Sequence, residues 1–157
     1  MPFPGSVPVQ VNDNGAVSAT FMVQAQAEDP SFFIFGGGPY VAAVHASGGY
    51  IGSTTLYPGL STPAQPGETI MIYANGFGPT SVPVVNGSAS QSGTLSPLPV
   101  ITIGGVAATV NFAGLVAVGE FQFNVVVPST LANGDQPISA TYNDLTTQAG
   151  TLITIHN

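Results

Sequence analysis

Alternation of apolar and polar residues is the strongest pattern in this chain. Between turn signals at 66–67 and 75–76, Ile70 and Ile72 alternate with more polar neighbours, and residues 121–127 alternate in the same way. A period of two places the apolar side chains on one face of a β-strand. Each segment therefore predicts a strand with one buried face.

The remaining pattern also consists of short strands separated by turn signals. No segment of ten or more residues keeps a helical period, and residues 53–65 and 80–99 are predicted to be loops, the second long and exposed. Closely spaced short strands predict an all-β fold, here a β-sandwich. The other predicted strands span residues 7–11, 17–23, 31–35, 40–45, 50–51, 100–103, 106–112, 137–142 and 148–155.

The first predicted strands form a β-hairpin around a turn at residues 12–15. Two strands alone are marginally stable in water, so this hairpin needs a partner surface. We therefore divide the chain into an N-terminal hairpin, residues 1–27, and a sandwich, residues 28–157. The hairpin is interpreted as the last hairpin of a preceding or neighbouring unit.

A gapless comparison of residues 5–26 with residues 134–155 supports that interpretation. Three identical residues, a glycine, a proline and an asparagine, coincide: Gly5 with Gly134, Pro8 with Pro137 and Asn14 with Asn143. Val9 also falls on Ile138, and Val23 falls on Leu152. The comparison leaves two explanations open, a repeated hairpin and a coincidence between two amphipathic hairpins.

The apolar residues of the N-terminal hairpin form the predicted subunit interface. The hairpin either packs on its own sandwich or completes the sheet of another copy, and the sequence leaves both open. The predicted interface residues are Val7, Val9, Val11, Val17, Phe21 and Val23.

Charge composition narrows the possible functions. The 157 residues contain no Lys, no Arg and no Cys, against seven acidic residues. Nucleic-acid binding is excluded because basic side chains are needed to neutralise phosphates. Disulfides and lysine cross-links are excluded too, so any polymer is non-covalent.

No apolar run is long enough to predict a membrane span. The mean hydropathy of +0.38 suggests that some apolar surface is covered only on association.

Candidate chemistry is sparse. His45 ends a predicted strand outside any nucleophile motif, and the glycines at 36–38 lack the lysine and helix of a phosphate loop. The turns at 12–14 and 133–135 offer oxygen ligands for Ca²⁺, but each has one carboxylate, and such residues favour turns anyway. We predict no catalytic residue, no metal and no cofactor. Asn86 begins a glycosylation sequon in the exposed loop.

Four tyrosines offer a different possibility, because aromatic rings stack on sugars. They could line a carbohydrate-binding face, although tyrosines are also common on the packed surfaces of sheets. The residues are Tyr40, Tyr50, Tyr57 and Tyr73.

Three longer segments resemble a known family. GETIMIYANGFGPT, PVITIGGVAATVNFAG and FQFNVVVPSTLANGDQPISATYN, with the lead-in YVAAVHASGGYIGSTTLYPGLSTPAQPGE, are similar to an IPT/TIG-type immunoglobulin-like domain. More closely, they resemble the C-terminal Ig-like domains of large secreted proteins of acidobacterial type, a family without an assigned activity. The resemblance covers residues 28–157 and implies an immunoglobulin-like β-sandwich in a secreted, modular setting. The absence of Lys and Arg departs from the usual pattern.

Together these features predict an extracellular structural module at a bacterial cell surface. We expect a subunit or segment of a non-covalent filament or layer, in which copies exchange β-hairpins head to tail. We expect no enzymatic activity. The alternative is an adhesin or carbohydrate-binding module of a larger secreted protein, with cell-surface glycans as partners.

Overall fold

A computed structural model describes residues 4–157, and these residues form sixteen strands and no helix. The predicted all-β class is therefore confirmed, and the paired sheets are those of a β-sandwich. No helix that could span a membrane occurs in this part of the chain. The strands are β1 (Gly5–Val9), β2 (Asn12–Asp13), β3 (Ala16–Val17), β4 (Phe21–Ala25), β5 (Ser31–Phe32), β6 (Ala43–His45), β7 (Tyr50–Ile51), β8 (Ser61–Thr62), β9 (Thr69–Asn75), β10 (Gly93–Thr94), β11 (Val100–Ile103), β12 (Val106–Ala117), β13 (Glu120–Val126), β14 (Gly134–Tyr142), β15 (Leu145–Thr146) and β16 (Leu152–Ile155).

The strands from β5 onward build the body of the molecule, residues 31–157. They follow the order β15-β14-β11-β12-β13-β9-β6-β7-β8, with β10 paired to β12, β16 to β14 and β5 to β9. The first residues of β12 pair with β11 and the later ones with β13, so this strand joins two parts of the sheet. These parts enclose one core, which contains side chains from β9 and β13 on one side and from β11, β14 and β16 on the other.

The strands β9 and β13 are antiparallel neighbours in the middle of this sheet, and both were predicted. Ile70 and Ile72 of β9 are 0% exposed, as are Phe123 and Val125 of β13. The intervening residues are half-buried, as the alternation predicts. The edge-to-face contact of Phe77 with Phe123, at 4.7 Å between ring centroids, packs the segment after β9 into the core.

The outer edge of β16 is covered by the lead-in segment of the body. Parallel bridges join Tyr40 to Leu152 and Ala64 to Ile155. Hydrogen bonds accompany both bridges, among them Val41 N to the Leu152 carbonyl at 3.0 Å. The last strand therefore has backbone partners on both sides.

Several body segments differ from the sequence prediction. The predicted strands 31–35 and 148–155 are shorter, since β5 ends at Phe32 and β16 begins at Leu152. The predicted loop 53–65 contains β8, which pairs with β7 in parallel. The predicted loop 80–99 contains β10 and buries Leu95, which is 3% exposed. The strand predicted to end at 112 continues to 117, through a bulge that interrupts its alternation. Backbone pairing at a sheet edge produces these short strands where the side chains carry no pattern.

The N-terminal hairpin is a separate pair of sheets, here called the arm (residues 5–25). β1 pairs with β4 over five residues each, and β2 pairs with β3 at the tip. The predicted strand 17–23 is wrong as one unit, because residues 18–20 interrupt it. The hydroxyl of Ser18 accepts a hydrogen bond from Val11 N at 3.0 Å, so a side chain replaces part of the backbone ladder. Val11 consequently lies outside the strands.

Candidate functional site

The arm exposes its apolar side chains instead of burying them. Within residues 4–157, no β-pairing joins the arm to the body. Val7 is half-buried, and the other predicted interface residues are exposed. Their exposed fractions are 43% for Val9, 65% for Val11, 57% for Val17, 70% for Phe21 and 36% for Val23.

The two faces of the arm differ in polarity. Cross-strand pairs share a face, and the register pairs Val7 with Val23 and Val9 with Phe21. We call the surface formed by these four side chains the apolar face. The opposite face carries the pairs Ser6–Gln24 and Pro8–Met22. Of the six predicted interface residues, Val11 and Val17 lie beyond the apolar face, toward the tip.

The tip of the arm reproduces the tip of the closing hairpin, which is formed by β14, β15 and β16. In both hairpins two pairs flank a turn of two residues, and in both turns the two residues have positive φ: 50° and 95° in the arm, 46° and 64° in the closing hairpin. The equivalent pairs are Asn12–Val17 with Thr141–Thr146, and Asp13–Ala16 with Tyr142–Leu145.

At their bases the two hairpins differ by one residue. Gly5 pairs with Ala25, whereas Gly134 pairs with Ile155, so the second strand of the closing hairpin has one residue more. In the structural comparison Val23 therefore corresponds to Ile153 and not to Leu152, which corrects the gapless alignment. The core-facing residues Ile138, Ile153 and Ile155 correspond to Val9, Val23 and Ala25. The other two residues of the apolar face, Val7 and Phe21, correspond to the half-buried Gln136 and the buried Thr151, so the apolar face matches a largely buried face of the closing hairpin.

The neck, residues 26–30, fixes the base of the arm to one end of the body. Asp29 N donates to the Gly76 carbonyl at 2.8 Å, and the Asn143 side-chain amide donates to the Glu28 carboxylate at 2.8 Å. Gly76 has a φ of 75°, and a Cβ there would lie 1.9 Å from the Asp29 carbonyl oxygen. Only glycine at this position permits the two segments of the chain to approach so closely.

His45 belongs to a polar cluster at the other end of β9. Its Nδ1 lies 2.5 Å from Oε1 of Glu68, and its Nε2 lies 2.9 Å from the Thr62 hydroxyl. Gln65 N donates to the second carboxylate oxygen of Glu68 at 3.0 Å. His156 also lines the adjoining cavity of about 420 Å³. The cluster ties β6, β8 and the start of β9 together, and the prediction of no enzymatic activity stays a prediction.

The four tyrosines considered for carbohydrate binding are only partly on one surface, because the register places Tyr50 and Tyr73 on the same outer face of the sheet. Tyr50 and Tyr57 pack against Phe35, with ring centroids 5.2 to 5.5 Å apart and the rings tilted or edge to face. The Tyr40 hydroxyl donates to Asp135 at 2.8 Å, and this hydrogen bond raises the pKa of Tyr40. Tyr73 is half-buried on β9. Glycan binding stays a prediction without a flat aromatic platform to support it.

The two turns that were considered as calcium sites use several of their oxygen atoms in hydrogen bonds within the protein. Asn12 Oδ1 accepts from Gly15 N at 2.9 Å, and Asn133 Oδ1 accepts from Asn157 N at 2.7 Å. The Asp135 carboxylate accepts from the hydroxyls of Tyr40 and Thr154. Residues 4–157 contain no group of three or more His, Cys, Asp or Glu able to hold a metal ion.

No protein-family model matches this chain, and no curated protein sequence matches it significantly. The resemblance to IPT/TIG-type domains therefore stays a prediction from the quoted segments.

Proposed function

We propose that this chain is an extracellular structural module whose copies associate non-covalently through the arm. The observation that carries this proposal is the apolar face of the arm, on which three of four Val and Phe side chains are exposed although the matching face of the closing hairpin is largely buried. A solvated face of this kind is unfavourable, and burial against a second copy removes it from water.

The surface area of the chain supports this interpretation. The accessible surface is 8608 Å² for 15.8 kDa, whereas a compact monomer of this mass has about 7,300 Å². The excess of about 1,300 Å² is larger than the roughly 800 Å² that each partner buries in a standard interface. An exposed arm adds surface of this kind, which a second copy can cover.

Burial of the apolar face is of the right magnitude to drive association. Full burial of an exposed Val or Phe side chain contributes about 1.5–3 kcal/mol, and because these four are already partly buried, about 6–12 kcal/mol is an upper bound for the apolar face. Lost translational and rotational freedom opposes this by about 4–15 kcal/mol. The two terms are similar, so backbone pairing or additional contacts beside the arm must complete the interface.

The setting follows from composition and resemblance. A chain without Lys and Arg forms no lysine cross-links and has no conventional salt bridges, so its assemblies depend on apolar and backbone contacts. The resemblance to secreted Ig-like domains supports a place at a bacterial cell surface. If each arm binds the next copy head to tail without closing a ring, the product is a filament or a layer.

Removal of the arm tests the proposal. All residues of the buried core lie between Phe32 and Ile155, so a variant lacking residues 1–27 keeps the complete body. We expect the full chain to sediment as oligomers that electron microscopy shows as fibres or layers. The deletion variant is expected to stay monomeric with an unchanged melting temperature.

A matched pair of substitutions separates the two faces of the arm. Phe21→Asp places a charge on the apolar face, and Met22→Asp places it on the opposite face, at residues that are 70% and 52% exposed. We expect the first to abolish oligomers and the second to preserve most of them. A full chain that remains monomeric at high concentration contradicts the proposed function.

A further inference from the structure

The closing hairpin limits where a second copy can receive the arm. The arm corresponds to β14–β16, and in each copy the place of that hairpin is taken by its own residues, between β11 and the lead-in segment. An incoming arm therefore cannot take the place of the closing hairpin. Its apolar face must be covered by an outer surface of the body.

One apolar outer surface lies beside the neck. Two depressions of about 260 and 500 Å³ adjoin there and share Leu115. The loop after β9 forms one wall, with Val82 and Val84 exposed by 49% and 40%. We call this surface the trough. Its apolar lining residues are Val82, Val84, Phe112, Leu115, Val116 and Phe121.

We infer that the trough of one copy binds the apolar face of the arm of another copy. This inference rests on the proposed function and names the surface that accepts the arm. Valine and phenylalanine side chains would meet on both sides, and none of the residues that line the trough is acidic. The Glu28 carboxylate lies beside Gly78 of the trough, but it accepts a hydrogen bond from the Asn143 side-chain amide, so covering the trough would not leave it unpaired.

One edge of the trough is open to a strand. Gly119 lies there, and no atom lies within 4 Å of a Cβ added to it. The neighbouring strand β10 has only two residues at the edge of the sheet, so a longer strand can lie beside it. The five-residue strands of the arm are about 17 Å long at ~3.3 Å per residue.

The neck favours binding between copies over binding within one copy. Ala27 lines the trough, but the hydrogen bonds of Glu28 and Asp29 hold the chain at the end of the body. From this base the arm leaves its own trough uncovered, with Val9 and Phe21 exposed. Folding back would require the chain to reverse direction at residues 26–27.

Engineered cysteines test this contact cleanly, because the natural chain has none. A Val9→Cys chain is mixed with a Val116→Cys chain of different mass and oxidised mildly. Val106→Cys is the matched control, because Val106 and Val116 lie on β12 and are 38% and 39% exposed. We expect at least ten times more mixed disulfide with Val116→Cys than with Val106→Cys.

Other outcomes overturn the inference in distinguishable ways. Equal yields, or a higher yield at Val106, place the arm elsewhere on the second copy, and the proposed function survives if removal of the arm still abolishes oligomers. A chain carrying both Val9→Cys and Val116→Cys that closes an internal disulfide at high dilution shows binding within one copy. No mixed disulfide, together with a monomeric full chain, contradicts both proposals.

Discussion

The arm and the strand β13 carry the same sequence pattern with opposite results. Phe121 and Phe123 alternate with polar residues and are 5% and 0% exposed, whereas Phe21 alternates in a similar strand and is 70% exposed. Both segments form the antiparallel pairs that their patterns predict. Alternation therefore predicts a strand with an apolar face, but not which molecule supplies the layer that covers it.

The largest expected difference between these regions is in the stability of the monomer. Phe123→Ala removes a side chain from the core, where Phe77 and its neighbours enclose it, and should lower the free energy of unfolding by about 3–5 kcal/mol. Phe21→Ala should change it by less than about 0.5 kcal/mol, because an exposed ring has little to lose. Urea unfolding measures both changes in the free energy of unfolding, at protein concentrations where sedimentation shows monomers.

For association between copies, the order of the two variants should be reversed: Phe21→Ala should have the larger effect. Phe21→Ala is expected to weaken association, whereas folded Phe123→Ala should retain it. A large stability loss for Phe21→Ala in the monomer would show that the arm packs on its own body.

The second-largest expected effect is a loss of stability at the neck, which connects the arm to the body. Gly76→Ala introduces a Cβ that overlaps the Asp29 carbonyl, whereas Gly59→Ala has a similar φ of 78° and no atom within 4 Å of the added Cβ. Both substitutions cost about 1–2 kcal/mol for the left-handed conformation. The clash should cost Gly76→Ala about 1–3 kcal/mol more.

Thermal melting of the two glycine variants measures this difference. Limited proteolysis at the neck provides a second readout, with faster cleavage expected for Gly76→Ala. If Gly76→Ala and Gly59→Ala were equally stable and equally cleaved, the neck would tolerate the added Cβ without losing stability and would not fix the arm.

The smallest expected effect is an alkaline loss of stability confined to the body. Burial, and secondarily the charge of Glu28, raises the pKa of Tyr142, and the hydrogen bond to Asp135 raises that of Tyr40. The unfolded chain loses these protons near pH 10, before the folded chain does. Their contribution is therefore complete below about pH 10 and is lost as the pH rises through the folded pKa values.

Melting temperatures between about pH 9 and pH 11 follow this loss. Tyr142→Phe and Tyr40→Phe should each make the decline shallower, and the arm, which contains no tyrosine, should not contribute. If the melting temperature declined equally steeply in both variants, the loss of stability would come from other titrating groups.

The central strands could be predicted because side-chain burial determines them. In β9 every second residue is fully buried, so the pattern of the sequence and the environment agree. The short strands β8 and β10 could not be predicted, since backbone pairing at the sheet edge forms them from Ser-Thr and Gly-Thr. Pairing of this kind depends on distant segments and leaves no local signal.

The same reasoning predicted only part of how the six interface candidates are arranged, and their role in association stays a prediction. Val7, Val9, Phe21 and Val23 share a face, as a continuous hairpin requires. Val11 and Val17 do not belong to it, because the Ser18 hydroxyl interrupts the ladder between them. The trough was missed altogether, since its residues come from a loop, a bulged strand and several turns that only the folded chain brings together.

The covered edge of β16 has a consequence for how the protein behaves at high concentration. Unpaired strand edges are the places where unrelated sheets stick together and grow without order. With the lead-in segment hydrogen-bonded along its last strand, the body offers little for indiscriminate stacking there. A concentrated solution of this protein should therefore precipitate less readily through this edge than it would through an unpaired strand.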